Sequence, residues 1–153
     1  MLASAAIVVS LKGGPAAPAS SVTAINVLLK DSGGPRGVGD GPLRAGVMGL
    51  SADQATAPHG KVSFRVTNAG AVAHEMVILP LTVSQEVGSR PFGAGAKVDE
   101  SGSLGETSSS GGGGIAPGAS SVLTVTLAPG QYELVCNFMG HYVSGMYGRL
   151  TIT

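Results

Sequence analysis

Residues 58–68 read PHGKVSFRVTN, and this stretch sets the class of the fold. Apolar and polar side chains alternate from position 61 to 67, which is the period of a β-strand with one buried face. Turn-forming residues, PHG before the run and NAG after it, flank it on both sides. The stretch therefore predicts a strand that directs three side chains into a core: Val62, Phe64 and Val66.

Short apolar or alternating runs recur along the chain between turns rich in Gly and Pro. They predict further strands over residues 21–29, 73–79, 121–127, 131–136 and 149–153. Pro80 is expected to stop the strand over 73–79. Because these strands are short and no helical period accompanies them, the predicted fold class is all-β, a β-sandwich or small Greek-key barrel.

The composition bounds the function classes. The chain has 153 residues, which suits a single domain, assigned here to residues 21–153. Nine Lys and Arg balance nine Asp and Glu, so the basic face of a nucleic-acid-binding protein is not expected. One Cys excludes a disulfide framework within the chain, and three His exclude an enzyme with several multi-histidine copper centres.

Residues 1–20 form a separate N-terminal segment. An apolar run over residues 2–11 is about half as long as a membrane-spanning helix needs to be. It precedes Ala17-Pro18-Ala19, which suits a signal-peptide cleavage site, although no basic residue stands before the run. We expect the segment to direct export or to tether the chain to a membrane, so that the domain works outside the cytoplasm (periplasmic, secreted or at the cell surface). A first strand or a frayed end is the alternative.

Residues 101–114 read SGSLGETSSSGGGG and contain almost no apolar side chain. Ordering such a stretch costs backbone entropy and buries little surface in return. We therefore predict a mobile, solvent-exposed loop that is dispensable to the fold.

The residues that can carry chemistry lie in one segment, CNFMGHYVSGM, over positions 136–146. Cys136 ends a predicted strand on its inward face, and Met146 begins the next strand with inward parity. The loop between them carries His141 near its middle, so a thiolate, an imidazole and a thioether come to the same end of the sandwich. A thiolate with imidazoles and a weak thioether selects copper, in a trigonal site with a long axial Met.

This site needs a second imidazole, and the chain offers His59 and His74. The predicted strand over 61–67 separates the two by about 20 Å, so only one of them can join Cys136. The sequence leaves open which end of the sandwich His74 occupies. We favour His74 because an apolar run follows it, whereas His59 stands between a Pro and a Gly like an ordinary turn residue.

Two segments of the chain resemble the cupredoxins, the family of type 1 (blue) copper proteins. The residues that resemble the copper loop and final strand are Gly130, Tyr132, Cys136, His141, Met146, Gly148, Leu150 and Ile152. Those that resemble the segment of the first histidine ligand are Pro58, Gly60, Val62, Phe64, Val66, Asn68 and His74. The Cys-x4-His-x4-Met spacing is most similar to the sulfocyanin and auracyanin-like members.

The resemblance implies a cupredoxin-like Greek-key β-sandwich of about eight strands that binds one copper ion. The ligands that it implies are His74, Cys136, His141 and Met146. The implied function is transfer of single electrons as copper alternates between Cu(I) and Cu(II), by a monomeric carrier without substrate turnover of its own. Redox partner proteins would dock on an apolar patch around His141. The alternative is that two of the patch residues, Phe138 and Tyr142, only pack the loop. The candidate residues are Phe138, Met139, Gly140, Tyr142 and Val143.

Two features depart from the family pattern. Many cupredoxins carry Asn directly after the first His ligand, where this chain has Glu75. The backbone N–H of residue 75 can still donate to the Cys sulfur, while its side chain either ties the ligand loops together or points to solvent. The second departure is an insertion over residues 84–114. We expect a solvated loop without function, the alternative being a cover over one face of the barrel or a contact with a partner.

Two other function classes stay open. An extracytoplasmic copper carrier, or metallochaperone, is suggested by Met76, which shares face parity with His74, and by Met139 in the ligand loop. A structural domain that has lost its metal is the other, against which the presence of all four ligands weighs. Zinc could occupy a Cys-His-His set, but thioether sulfur is a poor zinc ligand.

Overall fold

The computed structural model describes residues 21–32, 47–108 and 112–153, without the side chains of Ser32 and Val47. The segment over residues 1–20 and the tract 109–111 of the predicted loop lie outside the described residues. In the described ranges, no helix combines the length and the apolar character needed to cross a membrane.

The described residues form nine β-strands and two single-turn 3-10 helices. The strands are β1 (Thr23–Ser32), β2 (Val47–Ala52), β3 (Thr56–Ala57), β4 (Gly60–Asn68), β5 (Val77–Leu81), β6 (Gly105–Glu106), β7 (Ser120–Leu127), β8 (Gly130–Val135) and β9 (Tyr147–Ile152). The 3-10 helices span Ala94–Ala96 and Tyr142–Ser144. The prediction of an all-β fold of about eight strands is confirmed.

The strands belong to two sheets, with the orders β2-β1-β4-β7 and β3-β9-β8-β5-β6. The pairs β1–β4 and β3–β9 are parallel, and the remaining pairs are antiparallel. The chain repeatedly crosses between the sheets, for instance from β4 to β5 and from β7 to β8. These crossovers are those of a Greek-key sandwich, and they place the end of β4 and the end of β8 in opposite sheets.

The main core lies between the two sheets. The alternation predicted for β4 is confirmed, since Val62, Phe64 and Val66 are fully buried and the residues between them are not. Strands from both sheets add aliphatic side chains to the same core, among them Ile25, Val27, Leu29, Leu134 and Leu150. A second, smaller cluster is formed by Val77, Leu79, Val98, Val135 and Tyr142.

Pro80 lies inside β5, so the prediction that it stops this strand is wrong. The strand begins at Val77 and runs through Pro80, which is opposite Tyr132 of β8. On the other side, β6 pairs only with Val77 and Ile78 in the part of the chain described. Pro80 therefore stands beyond the reach of β6, where the missing N–H interrupts no ladder.

Replacing Phe64 by Ala should lower the free energy of unfolding by about 3–5 kcal/mol, because the fully buried ring leaves a cavity. Phe92→Ala is the matched control, since this side chain is 58% exposed. Its loss should change stability by no more than about 0.5 kcal/mol. Urea unfolding of the metal-free protein measures both, and equal effects would contradict the core described above.

Candidate metal centre

Two segments that are distant in sequence meet at one end of the sandwich. The first follows β4 and carries His74, which forms an antiparallel bridge with Ile115: each residue donates its backbone N–H to the other's carbonyl oxygen, at 3.2 and 2.6 Å. The second is the loop over residues 136–146, which joins β8 to β9. The structure thus places His74 beside Cys136. His59 lies elsewhere, with its Nδ1 at 2.9 Å from the carbonyl oxygen of Thr153.

Three donor atoms face one another where these segments meet. Nδ1 of His141 is 3.2 Å from Nδ1 of His74 and 3.3 Å from Sγ of Cys136. Sγ of Cys136 is 3.9 Å from Nδ1 of His74. A zinc ion binds imidazole nitrogen at about 2.0–2.1 Å and thiolate sulfur at about 2.3 Å. Three such donors around one ion with these bond lengths lie about 3.5–3.8 Å apart. The triangle therefore fits a single metal ion.

Burial and hydrogen bonding tune these donors. His74 and Cys136 are fully buried, whereas His141 is half-buried. Burial raises the pKa of the metal-free Cys136 thiol to about 11, against the lowering effect of the backbone N–H groups of Glu75 and Phe138. Burial and the neighbouring His74 lower the pKa of His141, which favours the neutral imidazole that binds metals.

Met146 closes the loop against Cys136 and His141. Its side chain is fully buried in the same core cluster as Cys136. The N–H of Cys136 donates to the carbonyl oxygen of Met146 at 3.0 Å, and the N–H of Met146 donates to that of His141 at 3.2 Å. The turn before Met146 uses Gly145 at φ 95°, a conformation that side chains disfavour. Backbone hydrogen bonds therefore hold the loop over residues 136–146 at both of its ends.

Glu75 behaves differently from both alternatives raised by the sequence. Its backbone N–H donates to Sγ of Cys136 at 3.4 Å, as predicted. Its carboxylate is buried, and the hydroxyl of Ser108 donates to it, so the side chain neither points to solvent nor joins the two ligand segments. Burial raises the pKa of Glu75, while the bond from Ser108 opposes this change.

The insertion over residues 84–114 packs against the site, and the prediction of a solvated loop is wrong at Val98 and Thr107, which are buried, and at Gly105 and Glu106, which pair with β5. Gly105 and Glu106 form β6, and Thr107 is buried with its hydroxyl accepting the N–H of Met76 at 2.9 Å. Gly114 lies so close to the site that a Cβ there would stand 2.7 Å from the carbonyl oxygen of His74. These positions carry few apolar side chains, so hydrophobicity alone does not predict their order.

Asn137, directly after Cys136, fastens the insertion to the ligand loop. Its Oδ1 accepts the N–H of Val98 at 2.8 Å, and its Nδ2 donates to the carbonyl oxygen of Val98 at 3.0 Å. Gly140 in the same loop donates its N–H to the carbonyl oxygen of Gly95 at 3.2 Å. Sequence reasoning missed Asn137, for which adjacency to Cys136 is the only signal.

A buried ion pair makes a second connection between the insertion and the loop. Nε of Arg90 donates to Oε2 of Glu133 at 2.6 Å, and Oε1 of the same carboxylate accepts the hydroxyl of Tyr142 at 3.0 Å. Burial raises the pKa of Tyr142 to about 12, so this phenol stays protonated and can donate. Tyr142 directly follows His141, so this shared carboxylate also connects Arg90 of the insertion to the loop over residues 136–146.

Asp31 and Asn68 support His74. Sequence reasoning missed Asp31, and it named Asn68 only as part of the family pattern, without a role. Oδ2 of Asp31 lies 2.9 Å from Nε2 of His74. Burial raises the pKa of Asp31, but hydrogen bonds from Ala71, His74 and Val72 outweigh this and hold it below its ordinary value. Asn68 is fully buried and donates to the carbonyl oxygens of Val72 and Ile115.

Of the five residues proposed to form an apolar patch around His141, two are largely exposed. Met139 is 75% and Val143 50% exposed. Tyr142 is buried in the second cluster, and Phe138 packs against the main core. The packing alternative therefore holds for these two aromatic residues.

The model of the sulfocyanin (SoxE) domain matches residues 55–153 of the chain. The protein belongs to the sulfocyanin family of cupredoxins. The predicted family is thereby confirmed, and the donor set together with the family supports one copper ion as the cofactor. No curated protein sequence matches this sulfocyanin-family chain significantly.

Solved cupredoxin structures share the fold. Reduced auracyanin from Roseiflexus castenholzii is 22% identical with a TM-score of 0.50, over 88% of this chain and 99% of that one. Auracyanin B is also 22% identical with a TM-score of 0.50, over 88% and 91%. Reduced rusticyanin is 16% identical with a TM-score of 0.56, over 88% and 81%.

Replacing Asn137 by Ala should free the segment around Val98 from the ligand loop, because two buried backbone groups lose their partner. Unpaired buried groups of this kind cost about 1–3 kcal/mol of stability. Hydrogen exchange of the Val98 amide should become faster. Asn26→Ala is the control: it removes an exposed amide of β1, in the other sheet, that is bonded to Asp53, and it should leave Val98 unaffected. Unchanged exchange at Val98 in the Asn137 variant would contradict the role assigned to this side chain.

Proposed function

We propose that this protein is a mononuclear blue copper protein that carries single electrons between redox partners. His74, Cys136 and His141 are the residues proposed to hold the copper ion most strongly, and Met146 would add a weak thioether donor. The observation that carries the proposal is the buried triangle of two imidazole nitrogens and one sulfur, with edges of 3.2, 3.3 and 3.9 Å. This ligand chemistry is the one that selects copper in a trigonal site.

The surroundings of the triangle favour electron transfer over substrate turnover. When bound, copper supplies a one-electron couple between Cu(I) and Cu(II). The chain's part is to hold the donors still, which the backbone bonds between Cys136, His141 and Met146 accomplish. Donors that need not move between two oxidation states keep the cost of reorganisation low. We therefore assign the protein no catalytic reaction of its own.

Redox partners are proposed to dock next to His141. His141 is half-buried, whereas the other three proposed ligands are fully buried. Met139 and Val143 expose apolar surface in the same loop. Small interfaces suit transient redox encounters. A net charge of zero gives little long-range steering, so the apolar contact has to supply the recognition.

The proposed location is outside the cytoplasm, with the chain acting as a monomer. The support is the apolar run over residues 2–11 followed by a small-residue cleavage pattern. The same run could serve as a membrane tether.

An extracytoplasmic copper carrier is the second candidate function. Met76 is fully buried in the core cluster that contains Cys136, and Met139 is exposed beside His141. A thioether at each place could pass Cu(I) inward from the surface. Against this, the full burial of His74, Cys136 and Met146 favours retention of the metal over ready exchange.

Changing one of the three strong proposed ligands should abolish the intense sulfur-to-copper absorption band of the oxidised protein. Cys136→Ser removes the thiolate and His74→Ala removes an imidazole, so both variants should be bleached. His59→Ala is the matched control and should keep the band, because His59 lies apart from the donors. Visible spectra of the copper-loaded variants measure this. A band lost in the His59 variant and kept in the His74 variant would reverse the assignment.

Replacing Met146 by Leu should keep the coloured site and raise its reduction potential. The thioether is a weak donor that favours the oxidised metal, and leucine cannot donate. Met139→Leu is the matched control, since this side chain is 75% exposed. Redox titration of both variants measures the effect. A large shift of potential or spectrum in the Met139 variant alone would refute the assignment of Met146 as the thioether donor.

A further inference from the structure

Asp31, near the end of β1, directs its carboxylate at Nε2 of His74, the ring nitrogen that does not face Cys136 and His141. Oδ2 lies 2.9 Å from Nε2 of His74. The same oxygen accepts the backbone N–H of Ala71 at 2.8 Å and that of Val72 at 3.2 Å, and Oδ1 is 3.0 Å from the N–H of Ala71. The side chains of Asp31 and His74 are 6% and 0% exposed. Within the described residues, every polar contact of the carboxylate is thus with a donor of the segment that carries His74.

This contact fixes which ring nitrogen of His74 can bind a metal. An ionised carboxylate only accepts hydrogen bonds, so Nε2 has to carry the proton. In the neutral ring, Nδ1 then holds a lone pair. Nδ1 is the atom that faces His141 and Cys136, at 3.2 and 3.9 Å.

The close fit around Asp31 leaves the ring little freedom. A Cβ added to Gly70 would stand 2.0 Å from Oδ2 of Asp31, so only glycine fits there without displacing the carboxylate. Asn68 holds the same turn from the other side, accepting the N–H of Gly70 at 2.8 Å and donating to the carbonyl oxygen of Val72 at 2.7 Å. The carboxylate and the turn therefore position each other.

We propose that Asp31 is a positioning residue for the copper site, which orients His74 through Nε2 and places a negative charge behind this ligand. Hydrogen bonds of this kind fix the tautomer and raise the basicity of a histidine ligand. The added negative charge stabilises Cu(II) more than Cu(I), so Asp31 lowers the reduction potential. The inference rests on the proposed function, since it concerns a ligand of that site.

The metal-free protein gives the first test. Nitrogen-15 NMR of the histidine rings in the unaltered protein should show neutral His74 protonated at Nε2. In Asp31→Ala this preference should be lost. A proton on Nδ1 in the unaltered protein would overturn the inference, and no copper is needed to observe it.

The copper-loaded protein gives the second test. Two variants separate the two effects assigned to Asp31, the orientation of His74 and the negative charge near it. Asp31→Ala removes both, and copper affinity should fall by about 10–100-fold. Asp31→Asn keeps an acceptor oxygen but removes the charge, so affinity for Cu(I) should be largely rescued while the potential rises. A tenfold selective loss of Cu(II) affinity corresponds to a rise of about 59 mV.

Asp53→Asn is the matched control. Asp53 is also a hydrogen-bonded aspartate, paired with Asn26, and its replacement changes the net charge equally. The reduction potential and the copper affinity of the Asp53→Asn variant should match those of the unaltered protein. A rise as large as that of Asp31→Asn would mean that net charge alone is measured and would overturn the inference.

The outcomes distinguish this inference from the proposed function. If the unaltered protein forms no sulfur-to-copper band, the proposed function fails, and the NMR experiment still decides whether Asp31 sets the tautomer of His74. If the band forms and both Asp31 variants keep the affinity and potential of the unaltered protein, the inference fails and the proposed function stands. Should Asp31→Ala not fold, as circular dichroism would show, the rise in potential of Asp31→Asn decides alone.

Discussion

Holding two imidazole nitrogens and a sulfur within 4 Å of one another inside the protein is the constraint on which this end of the sandwich depends. Donor atoms without hydrogen-bond partners are costly to bury, so their other polar positions need partners. Nε2 of His74 meets the carboxylate of Asp31, and Sγ of Cys136 accepts the N–H of Glu75. The inner lone pairs can then converge on one point, which suits a metal ion.

The two sheets make this convergence rigid. His74 follows a strand of one sheet and Cys136 follows a strand of the other, so their relative position is set by the core between the sheets. Interiors packed at crystal-like density transmit strain and resist small shifts. Local anchors then fix each segment on its own side: the buried amide of Asn68 holds the turn before His74, and the backbone bonds to Met146 hold the loop after Cys136. Site geometry is therefore a property of the whole fold.

The sequence predicted the features with a short-range signal. The alternation of β4 revealed its buried face, and the Cys-x4-His-x4-Met spacing revealed the donor loop. It could not reveal the contacts between Asp31 and His74 or between Asn137 and Val98, because partners 43 and 39 residues apart leave no periodic trace. Local propensity misled at Pro80, which lies in β5 beyond the two residues that pair with β6 in the described part of the chain, where a strand tolerates proline.

The insertion shows why a polar, glycine-rich stretch should not be dismissed. Closing a longer loop costs little extra entropy, but ordering its residues costs backbone entropy that buried contacts have to offset. Here Val98 joins Val135 and Tyr142 in the second cluster, which covers the face of β8 opposite the main core. The second half of β8, which leads into Cys136, is thereby buried on both faces, and Cys136 itself is fully buried. Of the four proposed ligands, His141 is the one that is not fully buried, so the proposed path for electrons runs through its edge, in the loop where Met139 and Val143 expose apolar surface.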